Sequence, residues 1–174
     1  MISCREYQVM SFRIVGLKSS QFSHLFGLTD VELAAHGARR RVVTEKPGFP
    51  DRIELRDLEV GETALLLNYV HQPADTPFRA SHAIYVREGD GRTYDEVDRV
   101  PEPMRLRPIA LRGFDLEHML CDASIAEGDG LETAIESVLA NPQVAYIQAH
   151  YARPGCYAAR IERAWLRAAP VDGR

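Results

Sequence analysis

The chain of 174 residues carries 21 Lys and Arg against 25 Asp and Glu, a formal charge of −4, with 45% hydrophobic and 26% charged residues. These are ordinary globular values that exclude disordered and fibrous classes, and the length suits one domain able to bury its own core. The acidic balance argues against nucleic acid as a partner, because phosphate backbones are gripped by basic surfaces.

No apolar run of signal-peptide length precedes Arg13, and no later stretch approaches the ~20 apolar residues of a membrane span, so neither secretion nor a membrane partner is expected. Cys4, Cys121 and Cys156 stand far apart without a CxxC pair. Neither a disulfide framework nor a cysteine zinc site is indicated, and a reducing, cytoplasmic setting follows. Residues 1–9 precede a second methionine, Met10, and are expected as a disordered extension before a single α+β domain over 10–174.

SFRIVGL (11–17) reads as a strand, followed by a short helix near 20–26 with Phe22, Leu25 and Phe26 on one side. A second helix has marked ends: Thr29 and Glu32 form a capping box, Leu28 and Leu33 a hydrophobic staple, and Gly37 a stop. From Arg39 to Arg99 the period shortens to two, predicting strands in RRVVTE, RIELRD, ETALLLNYVH and SHAIYVRE. RIELRD alternates Ile53 and Leu55 against Arg52, Glu54 and Arg56, the pattern of a strand with one wet face. Gly89-Asp90-Gly91 signals a hairpin returning through RTYDEV. Further strands are expected in RPIALRGF (107–114) and HMLCDASIAE (118–127).

Leu131, Ala134, Ile135, Val138 and Leu139 recur at helical spacing, predicting a helix over 130–140 with Asp129 and Glu132 at its start and Asn141-Pro142 after its end. VAYIQAHY (144–151) and CYAARIERAW (156–165) form a closing hairpin through ARPG. Runs of strands with helices near 20–37 and 130–140 give an α+β fold, a mainly antiparallel sheet with helices packed on one face.

Three segments concentrate polar groups beside apolar strands. PGFPDR (47–52) is a rigid connector whose functional role would be a pocket rim. The stretch Asn68–Ile84 holds His71, Arg79, Ser81 and His82, with both histidines on apolar strand faces and Arg79 able either to clamp a carboxylate or phosphate or to hold its own loop. Gln148 and His150 share a strand face, and Arg153 and Cys156 follow in the turn, which permits a Cys-His nucleophilic pair. His71, His82 and His150 match no metal-ligand spacing, so neither a metal nor another cofactor is expected.

FRIVGL, PGFPDR, GETALLLNYVHQPADTPFRASHAIYVRE and NPQVAYIQAHYARPGCYAARIERA together resemble a bacterial family known as domain of unknown function 1203, over Phe12 to Ala164. The resemblance supplies a bacterial origin but no mechanism. It implies Cys at the position of Asp51 in many relatives and His at that of Gln148 in some, so that neither a Cys at 51 nor a His-x-His metal pair is essential to this chain, which argues further against a metal.

The leading expectation is a binding protein whose loops 71–82 and 150–156 hold a small anionic molecule through His71, Arg79, Ser81, His82 and Arg153. One alternative is a module that pairs through an exposed sheet edge, the half-wet RIELRD strand, in a homodimer or with another protein. The other is an enzyme with Cys156 as nucleophile and His150 as its activator.

Overall fold

The structure, a computed structural model, describes residues 8–167. The extension expected over 1–9, and Cys4 with it, falls outside the described residues except for Gln8 and Val9, which open the first strand. The fold is α+β with mainly antiparallel strands. In chain order the elements are β1 (Gln8–Val15), α1 (Asp30–Ala35), β2 (Arg39–Val42), β3 (Thr63–Gln72), β4 (Ala80–Arg87), β5 (Asp95–Val97), α2 (Glu102–Arg105), β6 (Ile109–Phe114), β7 (Leu120–Ala126), α3 (Leu131–Ala140), β8 (Tyr146–Tyr151) and β9 (Tyr157–Arg167).

The strands divide between two sheets, ordered β5-β1-β9-β8-β6-β7 and β2-β3-β4. α3 lies on the larger sheet, burying Leu131, Ile135, Val138 and Leu139 against β6, β7, β1 and β8. α1 lies beside β2 in the smaller one. The two helices therefore serve different sheets and do not share a face. Beyond α3 the larger sheet contributes Phe12, Ile14, Ile109, Leu111, Ile147 and Ile161 to one core. Leu33, Ile53, Leu65, Ile84 and Val86 form a second core, which also receives Tyr157 from β9.

Several expectations are met in detail. The Thr29 hydroxyl accepts the Glu32 N–H, and the Glu32 carboxylate accepts the Thr29 N–H at 2.7 Å, completing the capping box. β8 and β9 pair antiparallel across the ARPG turn. The start of α3 differs, because Gly130 occupies the cap without a side-chain bond, while Asp129 stands 3.7 Å from Arg105. The stretch expected as a helix near 20–26 consists of two 3₁₀ turns, Ser19–Gln21 and Ser23–Leu25.

Two strand readings are overturned. RTYDEV does not return along β4: β5 pairs with β1 in the other sheet. RIELRD makes no strand at all. Pro50 and Asp57 meet across an isolated bridge, Leu55 takes a left-handed φ of 49°, and Arg52, expected on a wet face, is 1% exposed. The segment therefore offers no strand of its own for the sheet-edge pairing expected of it.

The segment instead joins the two sheets. Asp51 bridges Tyr85 of β4, the Arg52 carbonyl accepts the Leu17 N–H at 2.6 Å, and the Ile53 carbonyl accepts the Tyr94 N–H at 2.8 Å. Gly16 allows this close approach, since a Cβ there would stand 2.3 Å from the Ile53 carbonyl oxygen. The Asp51 carboxylate is fully buried and accepts the backbone N–H groups of Glu54 and Arg87 at 2.6 and 2.7 Å. Burial still pushes its carboxyl above the usual carboxylate range.

Candidate functional site

Alternation along β3 carries Leu65, Leu67, Tyr69 and His71 toward the core. The register shifts between Val70 and Gln72, so that both His71 and Gln72 are buried. A bulge of this kind re-aims a side chain at the end of a strand. β8 and β9 shift register at Ala149 and His150, beside the same place. His150 is fully buried, His71 nearly so, and His82 enters from β4 half-buried.

Three strands of two sheets thus bring His71, His82 and His150 together, with a ligand nitrogen from each lying within 4.8 Å of the others. The His71 ring stacks on His82 at 5.0 Å and on Tyr157 at 5.4 Å, and meets His150 edge-on at 4.8 Å. Hydrogen bonds settle the tautomers. The Gln148 amide donates to the His71 carbonyl at 3.0 Å, which turns its Oε1 to accept the His71 Nδ1–H at 2.6 Å. His71 Nε2 is then a lone-pair nitrogen that accepts the His82 Nδ1–H at 2.8 Å. His150 Nδ1–H donates to the Gly155 carbonyl at 3.0 Å, and its Nε2 is buried without any hydrogen-bond partner.

Burial pushes His150 down to about 3 and lowers His71 and His82 as well, with the positive charge of Arg112 acting in the same direction on all three. The three rings are accordingly neutral at pH 7. Spacing along the chain gave no sign of this convergence, because it is made by two hairpins in different sheets.

Beside the cluster a cavity of about 800 Å³ opens, with His82 in its wall together with Arg52, Arg107, Tyr151, Arg153 and Cys156. Gly48 and Pro50 also line it, so the PGFPDR loop is a pocket rim. Arg52 donates from Nε to the Tyr157 carbonyl at 2.8 Å, from one terminal nitrogen to the Pro50 carbonyl, and from the other to Cys156 Sγ at 3.1 Å. Its guanidinium lies 5.0 Å from the centre of the Tyr151 ring. No carboxylate pairs with it among the described residues. Arg107 differs in this respect, making a two-pronged bond to the buried Asp57 at 2.7 and 2.8 Å.

The site residues expected from sequence divide accordingly. His82, Arg153 and Cys156 line the cavity, while His71 and His150 stand behind its wall. Arg79 and Ser81 are exposed and lie outside the lining, Arg79 bonding the Pro73 carbonyl of its own loop at 3.2 Å. The Cys156 sulfur faces Arg52, while His150 directs Nδ1 to Gly155, so thiol and imidazole share no hydrogen bond among the described residues. Sequence reasoning missed Arg52, Arg107 and Tyr151. The available signal was the Pro- and Gly-punctuated loop that carries Arg52.

The family described as "Protein of unknown function (DUF1203)" matches residues 48–163, a span that takes in all three histidines and the cavity lining. No curated protein and no solved structure matches the chain. Among the described residues, no helix is long and apolar enough to cross a membrane.

Proposed function

The chain belongs to the DUF1203 family, whose function is unknown, and from the chemistry of its own cavity we propose that it binds a small anionic molecule through Arg52, Arg153 and His82, with Arg107 beside them. The observation that carries this reading is the fully buried Arg52 guanidinium, which lacks a carboxylate partner yet lines a cavity of about 800 Å³. A buried cation without a counter-charge is costly. Its protein acceptors, two carbonyls and a sulfur, use only part of a five-donor fork, so a carboxylate or phosphate finds both charge and donors there. Arg153 at the exposed end supplies a second positive group with freedom to close on a ligand. Tyr151 offers an aromatic wall.

Thermal shift against phosphate, sulfate, dicarboxylates and sugar phosphates tests the reading, since a ligand at 100 times Kd stabilises by ~2.7 kcal/mol. The expected result is a shift that Arg153→Ala reduces and Arg79→Ala leaves intact. If no anion raises Tm, or if Arg153→Ala responds like the unmodified protein, the reading is wrong.

A second reading, thiol chemistry at Cys156, draws support from the same cavity, because the sulfur lies in its wall and accepts an Arg52 N–H. Arg52, not His150, is then the partner of the thiol. Alkylation of Cys156 in the folded protein checks it, and a thiol that reacts only after unfolding removes it.

A further inference from the structure

We propose that His71 Nε2, His82 Nδ1 and His150 Nε2 form a binding site for one divalent first-row transition ion, of which zinc is the representative probe, the ion replacing the His71–His82 hydrogen bond as His82 shifts its ring proton from Nδ1 to Nε2. The inference goes beyond anion binding and stands on the histidines alone.

Four observations carry it. First, His150 Nε2 is buried with no hydrogen-bond partner, and the ring's other nitrogen is committed to the Gly155 carbonyl. An unpartnered buried acceptor is destabilising unless something occupies it. Second, the Nδ1–H groups of His71 and His150 each bond a carbonyl oxygen, of Gln148 and Gly155 respectively. That outer arrangement fixes the tautomer and aims Nε2 at a metal in histidine sites generally. Third, two nitrogens bound to a tetrahedral ion at ~2.1 Å stand about 3.4 Å apart. The His71–His82 separation of 2.8 Å lies below that value and the cluster's outer limit of 4.8 Å above it, so the ion requires the first pair to part by about 0.6 Å and the widest to close by about 1.4 Å, shared between the rings. Fourth, no carboxylate belongs to the cluster, and an all-imidazole set suits zinc, copper, cobalt or nickel over calcium or magnesium.

Arg112 constrains the chemistry further. It stands opposite Gln148, the partner of His71, across β6 and β8, and forms no ion pair among the described residues. A dication held by neutral ligands beside this guanidinium favours hydroxide or another anion at its remaining position. Three protein ligands leave such a position free. His82 belongs to both the cluster and the cavity wall, which makes the cavity the route to it.

The test uses the whole chain, stripped with chelator, loaded with zinc and passed through gel filtration before elemental analysis. One retained equivalent per chain is expected, with Co²⁺ in its place giving visible bands of tetrahedral intensity. His82→Ala, a change at a half-buried position, is expected to lose the equivalent. Gln148→Ala should weaken binding by about 10–100-fold by freeing the His71 ring. His24 and His36, whose rings lie 5.9 Å apart near the surface, are the obvious adventitious site. The His24→Ala/His36→Ala and Cys156→Ser variants should retain full zinc. Absence of retained zinc in the unmodified chain overturns the proposal. So does retention by a folded His82→Ala, or loss that follows His24 and His36. Should His82→Ala fail to fold, an unchanged zinc affinity in Gln148→Ala overturns it equally.

Discussion

His71 and Gln148 hold each other by a reciprocal pair of hydrogen bonds, the ring Nδ1–H on the amide oxygen at 2.6 Å and the amide N–H on the His71 carbonyl at 3.0 Å. Both residues are buried, and they join β3 of one sheet to β8 of the other. Removing one partner leaves the other's polar groups stranded, at a cost of about 1–3 kcal/mol. Gln148→Leu is therefore expected to lower the unfolding free energy by that amount, read as a lower urea midpoint at an unchanged m-value. Adding His71→Phe should recover part of the loss, because an apolar pair of similar size strands fewer groups. A double variant as unstable as the sum of the singles would show that the two side chains are not coupled.

Gly16 offers a separate check on how the sheets are joined. A methyl group at this position meets the Ile53 carbonyl oxygen at 2.3 Å, and that oxygen belongs to backbone that accepts the Tyr94 N–H. Neither side can yield without breaking a bond between the sheets. Gly16→Ala should cost about 1–3 kcal/mol, toward the upper end, as a drop in Tm. It should also reduce anion-induced stabilisation, since Arg52 is the residue before Ile53.

Much of this frame was legible in the sequence because it rests on local signals. The Thr29–Glu32 box, the periodicity of Leu131 to Leu139 and the turn between Tyr151 and Cys156 involve residues close in the chain. RIELRD was misread because alternation reports which residues are buried in a strand but not whether a partner strand exists. There the order is inverted for Arg52, which directs donors to the Pro50 and Tyr157 carbonyls and the Cys156 sulfur. The histidine cluster was hidden for a related reason. Each ring sits on a strand face that could be read, but their meeting depends on sheet-to-sheet packing and on a shift of register at His71.

Glu62 should shape the acid limb of stability. Its carboxylate is held down to about 2, first by the hydrogen bonds from Arg56 and also by the Glu59 N–H and the charge of Arg87. A folded value below the ordinary 4.5 means that the unfolded chain takes up the proton first as pH falls. The stabilisation is complete above pH 4.5 and fades as pH falls toward 2. Glu62→Gln is expected to cost about 1 kcal/mol at pH 7, as water screens this half-buried network. The variant should lose less between pH 4.5 and 2 than the unmodified chain. Parallel curves for the two proteins would exclude Glu62 as a source of the slope.

Arg52 gives the sharpest separation of stability from binding. Arg52→Ala opens a large void and strands the Pro50 and Tyr157 carbonyls, so a loss of about 3–5 kcal/mol is expected. Arg52→Met fills most of the same volume and removes a buried charge that no carboxylate offsets. Replacing buried charge by apolar volume is often neutral or better, but the two carbonyls still lose their donors. The expected net change is within about 2 kcal/mol. If the guanidinium is retained to meet an anion, Arg52→Met remains folded, keeps its near-ultraviolet dichroism and shows no anion-dependent rise in Tm. A Met variant that stays folded and still responds to the same anions would relieve Arg52 of that role and leave Arg107 and Arg153 to account for the binding.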